Sequence, residues 1–332
     1  MKEKTIFKGF LDKRSYPSNF DIKDVNLFKN DLEITVPDIK TISYSSICIN
    51  SDLLLWKNFS FLKESYKYRE ENHSRLNKIK FLLKSSITPK VKLKKALWII
   101  DSWSEVYYHW IFDVLQKSTL LKKEKGVKIL IPQSFLQHEY IKESIRILKL
   151  EIEIIKPNSI IKVEKLLTLP TVIYSGMFIN EKIIEIRNNI LSNINQKRDT
   201  ERIYISRKNA VRRKVINEKQ VIEVLKTHNF KVYYLEELSW QTQLSIFKNS
   251  NTIISIHGSG LSNMLFLKNK SNIVEFRHPN SASNNPFYAL SSTLKFNYFY
   301  ILGVPSSDNS HESDLFIDLK ELKNVINSLK YD

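Results

Sequence analysis

The chain has a single cysteine, Cys48, in 332 residues. One thiol excludes an internal disulfide and any metal site built on cysteine ligands, and it suits a reducing compartment. Nowhere do about 18 uncharged apolar residues run together, and the opening MKEKTIFKGFLDKR has charge but no apolar h-region. Neither a membrane span nor a signal peptide is expected, and a cytoplasmic location follows. The standard phosphate-binding signatures are missing too. GxxxxGK[ST] occurs nowhere, and in HGSGLSN (257–263) Asn263 stands where the dinucleotide GxGxxG pattern has its third glycine. Also absent are an Asp-x-Asp triplet, an internal repeat and a low-complexity tract.

Acidic residues are in short supply, 35 Asp+Glu against 52 Lys+Arg, for a net charge of +17. Nucleic acid, an anionic membrane face or a negatively charged small substrate would each account for the excess. A codon bias toward Lys, Ile and Asn would produce it with no partner at all. The stretch 61–83, with Lys63, Lys67, Arg69, Arg75, Lys78 and Lys80, reads as a basic helix. Such a helix lies on an anionic membrane surface or is a solvated face. A nucleic-acid binder is the weaker reading, because there is no zinc spacing, no RNP-type aromatic motif, and the basic residues are spread over both halves.

What is present is an alternation of apolar and helix-permissive segments. Strands are expected at 96–100, 127–131, 151–155 and 165–169, with helices at 104–121, 134–148 and 180–195. After the polar run 195–201 the alternation starts afresh. Strands at 202–206, 231–235, 252–256, 272–276 and 297–302 alternate with helices at 217–227, 239–248, 286–294 and 319–329. Asn217 and Ser239 are the expected N-caps. This is an α/β pattern with mostly parallel sheets, and the length exceeds the roughly 100–200 residues of one domain. Two doubly wound, Rossmann-like domains facing each other across a cleft are predicted.

Three stretches carry candidate chemistry. In the first, the turn His257-Gly258-Ser259-Gly260 follows one apolar run and precedes a helical one. Glycines there let backbone N–H groups approach a ligand, and a helix start favours a phosphate, though a tight turn without a ligand has the same look. Glu275, at the end of the next strand, is placed to accept from ribose hydroxyls or to pair with Arg277. The second stretch is Ser206-RKNAVR-Arg213, whose Arg207, Arg212 and Arg213 could grip a diphosphate bidentately. In the third, 103–116, a helix would align Glu105, His109, Asp113 and Gln116 as one polar stripe among Trp103, Tyr107, Tyr108 and Trp110. Asp113 one turn from His109 would orient the imidazole and raise its proton affinity, making it a usable general base.

YYHWIFDVL, IYISRKNAVRRKVINE and IISIHGSGLSNMLFL followed by VEF, in this order, resemble glycosyltransferase family 61 over roughly residues 94–305. The resemblance implies a GT-B architecture and an inverting, metal-independent transferase. Its co-substrate would be a nucleotide-activated sugar, often a UDP-sugar, with no further cofactor. Arg207, Arg212, His257, Gly258, Gly260 and Asn263 would line the donor diphosphate and nucleotide, with Arg213 and Ser259 beside them, and Glu275 the ribose. His109 and Asp113 would sit on the acceptor side. Val106 departs from the family's usual Asn. The implied organisation is an acceptor-side domain over 1–195, of which 1–93 lie outside the resemblance, and a donor domain over 201–310. A C-terminal helix within 311–332 would pack back on the N-terminal domain. The expected partners are the donor, a glycan or lipid-linked glycan acceptor such as a capsule precursor, and an anionic inner membrane face. A non-catalytic nucleotide-sugar-binding module would have the same sequence features.

Overall fold

A computed structural model describes residues 2–58, 60–62, 75–121, 126–169, 175–195, 199–282 and 285–329. By its contacts the chain divides into two units, Met1–Phe10 with Pro37–Tyr174, and Leu11–Val36 with Ser175–Asp332. The sequence places a single junction at 195–201. By contacts, instead, two segments on its N-terminal side, 11–36 and 175–195, belong with the second unit.

The first unit is built on an eight-stranded mixed sheet. Its strands are β1 (Lys2–Phe7), β2 (Ile39–Asn50), β3 (Leu55–Lys57), β4 (Ser60–Phe61), β5 (Lys90–Trp98), β6 (Lys128–Pro132), β7 (Ile152–Ile155) and β8 (Ile160–Thr168). Their order is β4-β3-β2-β8-β5-β6-β7, with β1 also on β2. The run β8-β5-β6-β7 is parallel, whereas β2 runs against β8 and β3 against β2. Between the strands lie α1 (Arg75–Ile87), a helix α2 over 107–120 and α3 (Glu139–Leu148). Of the expected basic helix, Lys63, Lys67 and Arg69 fall outside the described residues. The expected single helix 134–148 is broken. A 3-10 turn, Gln133–Gln137, ends at His138, whose extended backbone separates it from α3.

The second unit is a five-stranded, wholly parallel sheet of β9 (Glu201–Ile205), β10 (Phe230–Tyr233), β11 (Ser250–Ile256), β12 (Asn272–Arg277) and β13 (Asn297–Leu302). The order β10-β9-β11-β12-β13 means that the chain steps outward from β9 to β10 and then crosses back to build the other side. Buried on both faces, the strands are near-continuous apolar runs. Ile253, Ile254, Ile256, Ile273, Val274, Phe276 and Ile301 are all 0–1% exposed. The helices are α4 (Asn180–Leu191), α5 (Glu218–Thr227), α6 (Trp240–Lys248), α7 (Pro286–Leu294) and α8 (Leu319–Ser328). Ser239 caps α6 as expected, accepting from the Thr242 N–H. Asn217 stands at the N-cap position of α5 as expected, but its side chain makes no capping bond. Its side chain exchanges two hydrogen bonds with the backbone of Ile317.

Those bonds help dock the C-terminal segment onto this unit. Leu322, Val325, Ile326 and Leu329, spaced i, i+3, i+4 and i+7, join a core with Tyr204, Val221, Leu225 and Phe230. The C-terminal helix therefore packs on the second unit's own sheet. The apolar stripe is satisfied locally.

Residues 11–36, which carry no sequence motif, brace the β13 edge of the same unit. Phe28 is 0% exposed and sits edge-on to Tyr288 and Tyr298 at 5.1 and 6.5 Å. The Asn19 side chain bonds the backbone of Tyr300 in both directions. Asn285 donates to the Leu27 carbonyl at 2.7 Å.

Candidate functional site

In an open parallel sheet, ligands collect outside the carboxyl ends of the two strands between which the chain order reverses. In the second unit these are β9 and β11. The backbone leaves β9 directly into the arginine loop 207–213 and leaves β11 directly into His257-Gly-Ser-Gly260. Two of the three sequence candidates thus meet at the switch point.

The meeting is a physical contact. A Cβ at position 258 would lie 2.6 Å from Arg207 Nη1, so the guanidinium occupies the space that a side chain there would fill. Gly258 has φ 170°, extended backbone open to any residue, and its requirement is one of close approach. The Arg207 fork is turned inward. Nε donates to the Arg213 carbonyl and Nη2 to the Arg212 carbonyl, each at 3.2 Å, which shapes the loop. Arg212 stays exposed and Val211 at the tip is 98% exposed. Arg213 has left-handed backbone, φ 58°, and a buried Nε without a hydrogen-bond partner. Burial, with the Arg207 and Arg212 charges adding, pushes its guanidinium down to about 10. Burial and Arg212 lower Arg207 as well. A crowded set of cations with an orphaned N–H is a site in want of an anion.

After Gly258 the chain forms an eight-residue 3-10 helix, Ser259–Phe266, in place of the expected amphipathic α-helix. Its six residues from Leu261 to Phe266 are all buried. Polar periodicity is lost because the element lies inside the fold, and eight residues is long for this conformation. The first bond of this helix runs from the Leu261 N–H to the Gly258 carbonyl at 2.9 Å, so the Ser259 and Gly260 N–H groups precede the ladder, directly after the Gly258 that meets Arg207. Gly260 packs closely on Leu235 and Ile205, where an added Cβ would meet Leu235 Cδ1 at 3.2 Å.

Asn263 and Glu275 are placed differently from expectation. Asn263 is 0% exposed and donates to Gln243 Oε1 at 3.1 Å, pinning the 3-10 helix to α6. Glu275 is 1% exposed and faces inward. One oxygen pairs with His257 Nδ1 at 2.5 Å, and the other accepts from the Tyr298 hydroxyl. Arg277 donates to Tyr298 at 3.2 Å and to Ser281. Burial works against the Glu275 anion, yet His257, Arg277 and Tyr298 together hold its carboxyl below the usual range. Burial lowers His257 against the pull of Glu275. An ionised Glu275 fixes the tautomer, with Nδ1–H toward the carboxylate and the Nε2 lone pair opposite. Glu275 therefore orients His257; the sequence leaves it between ribose hydroxyls and a pairing with Arg277. Tyr298 and Arg277 complete this network. Arg277 is a partner that the sequence offers for Glu275, whereas Tyr298 leaves no such signal, since only strand pairing, with Tyr298 opposite Ile273, brings it diagonally beside Glu275.

The third candidate lies in the first unit, just after the carboxyl end of β5. The chain order of that sheet's parallel run reverses at β5, between β8 and β6. Helix α2 begins at Tyr107 and contains a π turn, Trp110–Val114, closed by the Leu115 N–H bonding the Trp110 carbonyl. His109 Nδ1 and Asp113 Oδ2 are 2.7 Å apart, with side chains 27% and 13% exposed. With Nδ1–H held by the carboxylate, Nε2 is the basic atom of the neutral ring. The four-residue stripe expected here is shorter in the structure. Glu105 precedes the helix, 3.7 Å from His138, and Gln116 is 0% exposed. Trp103 was noted only as a flanking aromatic. It is 53% exposed, with its ring centroid 6.0 Å from that of His109. An exposed aromatic face beside a base is a natural rest for the apolar face of a ligand. Among the described residues no three His, Cys, Asp or Glu side chains group around a common point.

The family model described as Glycosyltransferase 61 matches residues 107–274, half of the chain. This protein belongs to glycosyltransferase family 61. The matched span begins at α2, contains His109, Asp113, the arginine loop and the His257–Asn263 segment, and stops one residue before Glu275. It is narrower than the 94–305 over which motifs resemble the family. No curated protein matches the chain significantly. Among the described residues of the transferase no helix is long and apolar enough to cross a membrane.

Proposed function

We propose that this glycosyltransferase moves a sugar, with inversion, from a nucleotide-sugar donor, in the first instance UDP-linked, to a hydroxyl of a glycan or lipid-linked glycan acceptor. Capsule or surface polysaccharide synthesis at the inner face of the membrane is the setting that its basic charge favours. In this reading the enzyme is of the GT-B type, with the donor on the second unit and the acceptor on the first. The observation that carries it is the convergence of the arginine loop and the His257–Gly260 turn at the switch point between β9 and β11.

The chemistry balances with these residues alone. The acceptor O–H gives its proton to His109 Nε2, and its oxygen forms a bond to the anomeric carbon. The bond from that carbon to the diphosphate breaks, and the electron pair leaves with the diphosphate. Asp113 stabilises the imidazolium as it forms. Arg212, Arg213 and the first N–H groups of the 3-10 helix take up the charge of the departing group, the part of the reaction where fixed donors contribute most. Arg207 and Glu275 act one step back, shaping the loop and orienting His257. Displacement from the opposite face in a single step inverts the anomeric centre.

Thermal-shift titration of the full chain against UDP, UDP-sugars and other nucleoside diphosphates tests the donor class. A ligand that binds only the folded state stabilises by RT ln(1 + [L]/Kd), about 2.7 kcal/mol at one hundred times Kd. No shift with any nucleotide would remove the donor assignment. Binding without turnover across a broad acceptor panel would leave a nucleotide-sugar-binding module.

A further inference from the structure

A second concave site lies in the first unit, apart from every residue given a role above. Strand register builds its floor. Lys162 of β8 stands opposite Cys48 of β2, and Cys48 stands opposite Trp56 of β3, so the three share one face of the sheet. Lys162 also stands opposite Lys92 of β5, and Lys90, two residues earlier, shares that face. Helix α1 roofs the site with Leu82, Ser85 and Ser86, spaced i, i+3 and i+4. Lys57 stands at the rim. The cavity is partly open to solvent and has a volume of about 260 Å³.

Its charge is one-sided. Among the described residues no carboxylate lines it, and Lys57, Lys90 and Lys162 make no ion pair. Among the described residues Lys90 Nζ meets the Ser86 and Thr88 carbonyls, and Lys57 Nζ the Ser45 hydroxyl. The Ser85 and Ser86 hydroxyls donate back to the Leu82 carbonyl, which leaves the ammonium groups, with Ser46 and Asn58, as the donors lining the cavity. Three cations gathered without counter-charge around a partly enclosed space cost free energy unless an anion joins them. A wall of Trp56 and Leu82 suits an organic group attached to that anion.

We propose that this cavity binds a phosphorylated ligand, its phosphoryl group held by Lys90 and Lys162 with Lys57 at the entrance and its organic part against Trp56. The shared chemistry is a phosphate ester or diphosphate, supplied by a free small molecule or by the head of a lipid-linked one. The site stands whether or not the transfer mechanism above is correct.

Titration calorimetry of the full chain with inorganic phosphate and pyrophosphate, and flotation with phosphatidylcholine vesicles with and without a long-chain isoprenyl phosphate, test it. The double substitution Lys90→Gln, Lys162→Gln should weaken binding of the phosphate probe at least ~10-fold, as loss of charged hydrogen bonds predicts. Lys162→Arg should leave it nearly unchanged, and the pair Arg207→Gln, Arg213→Gln should remove only a separate binding step at the diphosphate site of the second unit, leaving the lysine-dependent step in place. Binding of the soluble probes identifies a free ligand. Binding confined to vesicles bearing the isoprenyl phosphate identifies a lipid-linked one, and both support the site. Absence of binding by every probe overturns it, as does vesicle binding that ignores the phosphate. Binding lost in the arginine pair but kept in the lysine pair also overturns it. Should the lysine pair fail to fold, alkylation of Cys48 in the unaltered chain decides. The bound probe should slow it relative to sodium chloride at equal ionic strength, and an unchanged rate counts against the site.

Discussion

The guanidinium of Arg207 fills the place where residue 258 would carry a side chain, 2.6 Å from the ideal Cβ position. One contact thus joins the two motifs at the switch point. A buried clash of this kind costs about 1–3 kcal/mol if nothing moves. Arg207 is the far end of a flexible chain, so in Gly258→Ala it should swing out and release the Arg212 and Arg213 carbonyls. The expected result is a small loss of thermal stability with nucleoside-diphosphate affinity lowered about tenfold, a change of about 1.4 kcal/mol. Unchanged affinity would show that the contact is merely steric.

Arg213 is a partly buried cation with a buried, unpartnered Nε beside two further arginines. Arg213→Gln removes repulsion in the empty protein and a counter-charge in the liganded one. Its unliganded unfolding free energy should stay level or rise by up to ~1 kcal/mol, while stabilisation by UDP drops. Chemical unfolding with and without the nucleotide separates the two effects. A variant that is less stable when empty and equally stabilised by ligand would make Arg213 structural.

The buried His257–Glu275 pair predicts a pH dependence of definite sign. His257 titrates below its ordinary 6.5 when folded, so between the two values the unfolded chain binds more protons. Its contribution is complete above 6.5 and is lost as pH falls from there through the folded value. The stability gap between the unaltered chain and His257→Asn should therefore shrink on acidification from neutrality toward about pH 5, in the region where an ordinary histidine titrates. Glu275, also lowered, acts only in the carboxylate range below 4.5. A gap that widens on acidification would mean that His257 is held protonated.

His109→Ala should reduce kcat by about 10²–10⁴, the usual weight of general base catalysis, and leave donor affinity unchanged. Asp113→Asn should cost less, since it removes orientation and not the base. Full turnover in a folded His109→Ala protein would move the base elsewhere, with Asp113 or Glu105 next in line.

Phe28→Ala should destabilise the second unit by about 3–5 kcal/mol, the usual cost of emptying a fully buried phenylalanine site. Its ring touches the three tyrosines Tyr288, Tyr298 and Tyr300. Denaturant unfolding measures this, and a loss below ~1 kcal/mol would contradict the bracing role of residues 11–36.

Much of the second unit was legible from periodicity. Helix Pro286–Leu294 and strand Asn297–Leu302 have the boundaries that the pattern predicts, because proline at the start and an unbroken apolar run are strong local signals. His109 and Asp113 were legible as a pair, since helical spacing alone brings residues four apart together. The π turn between them was not, because a single wide turn depends on surrounding packing. Nor was the burial of Asn263. Its neighbours Leu261, Met264, Leu265 and Phe266 are apolar around most of the element, a pattern that marks an interior position only in hindsight.

By itself, then, the sequence determined which residue types could bind phosphate or take a proton, and which runs become strands, since both depend on side-chain chemistry and spacing along one element. Tertiary structure alone decided what those residues do. Strand pairing turned Glu275 inward to His257 and Tyr298, and the crossing from β10 to β11 brought the arginine loop against Gly258. The same long-range packing assigned residues 11–36 and the C-terminal helix to the second unit. Contacts between residues far apart in the chain leave no periodic trace within either segment.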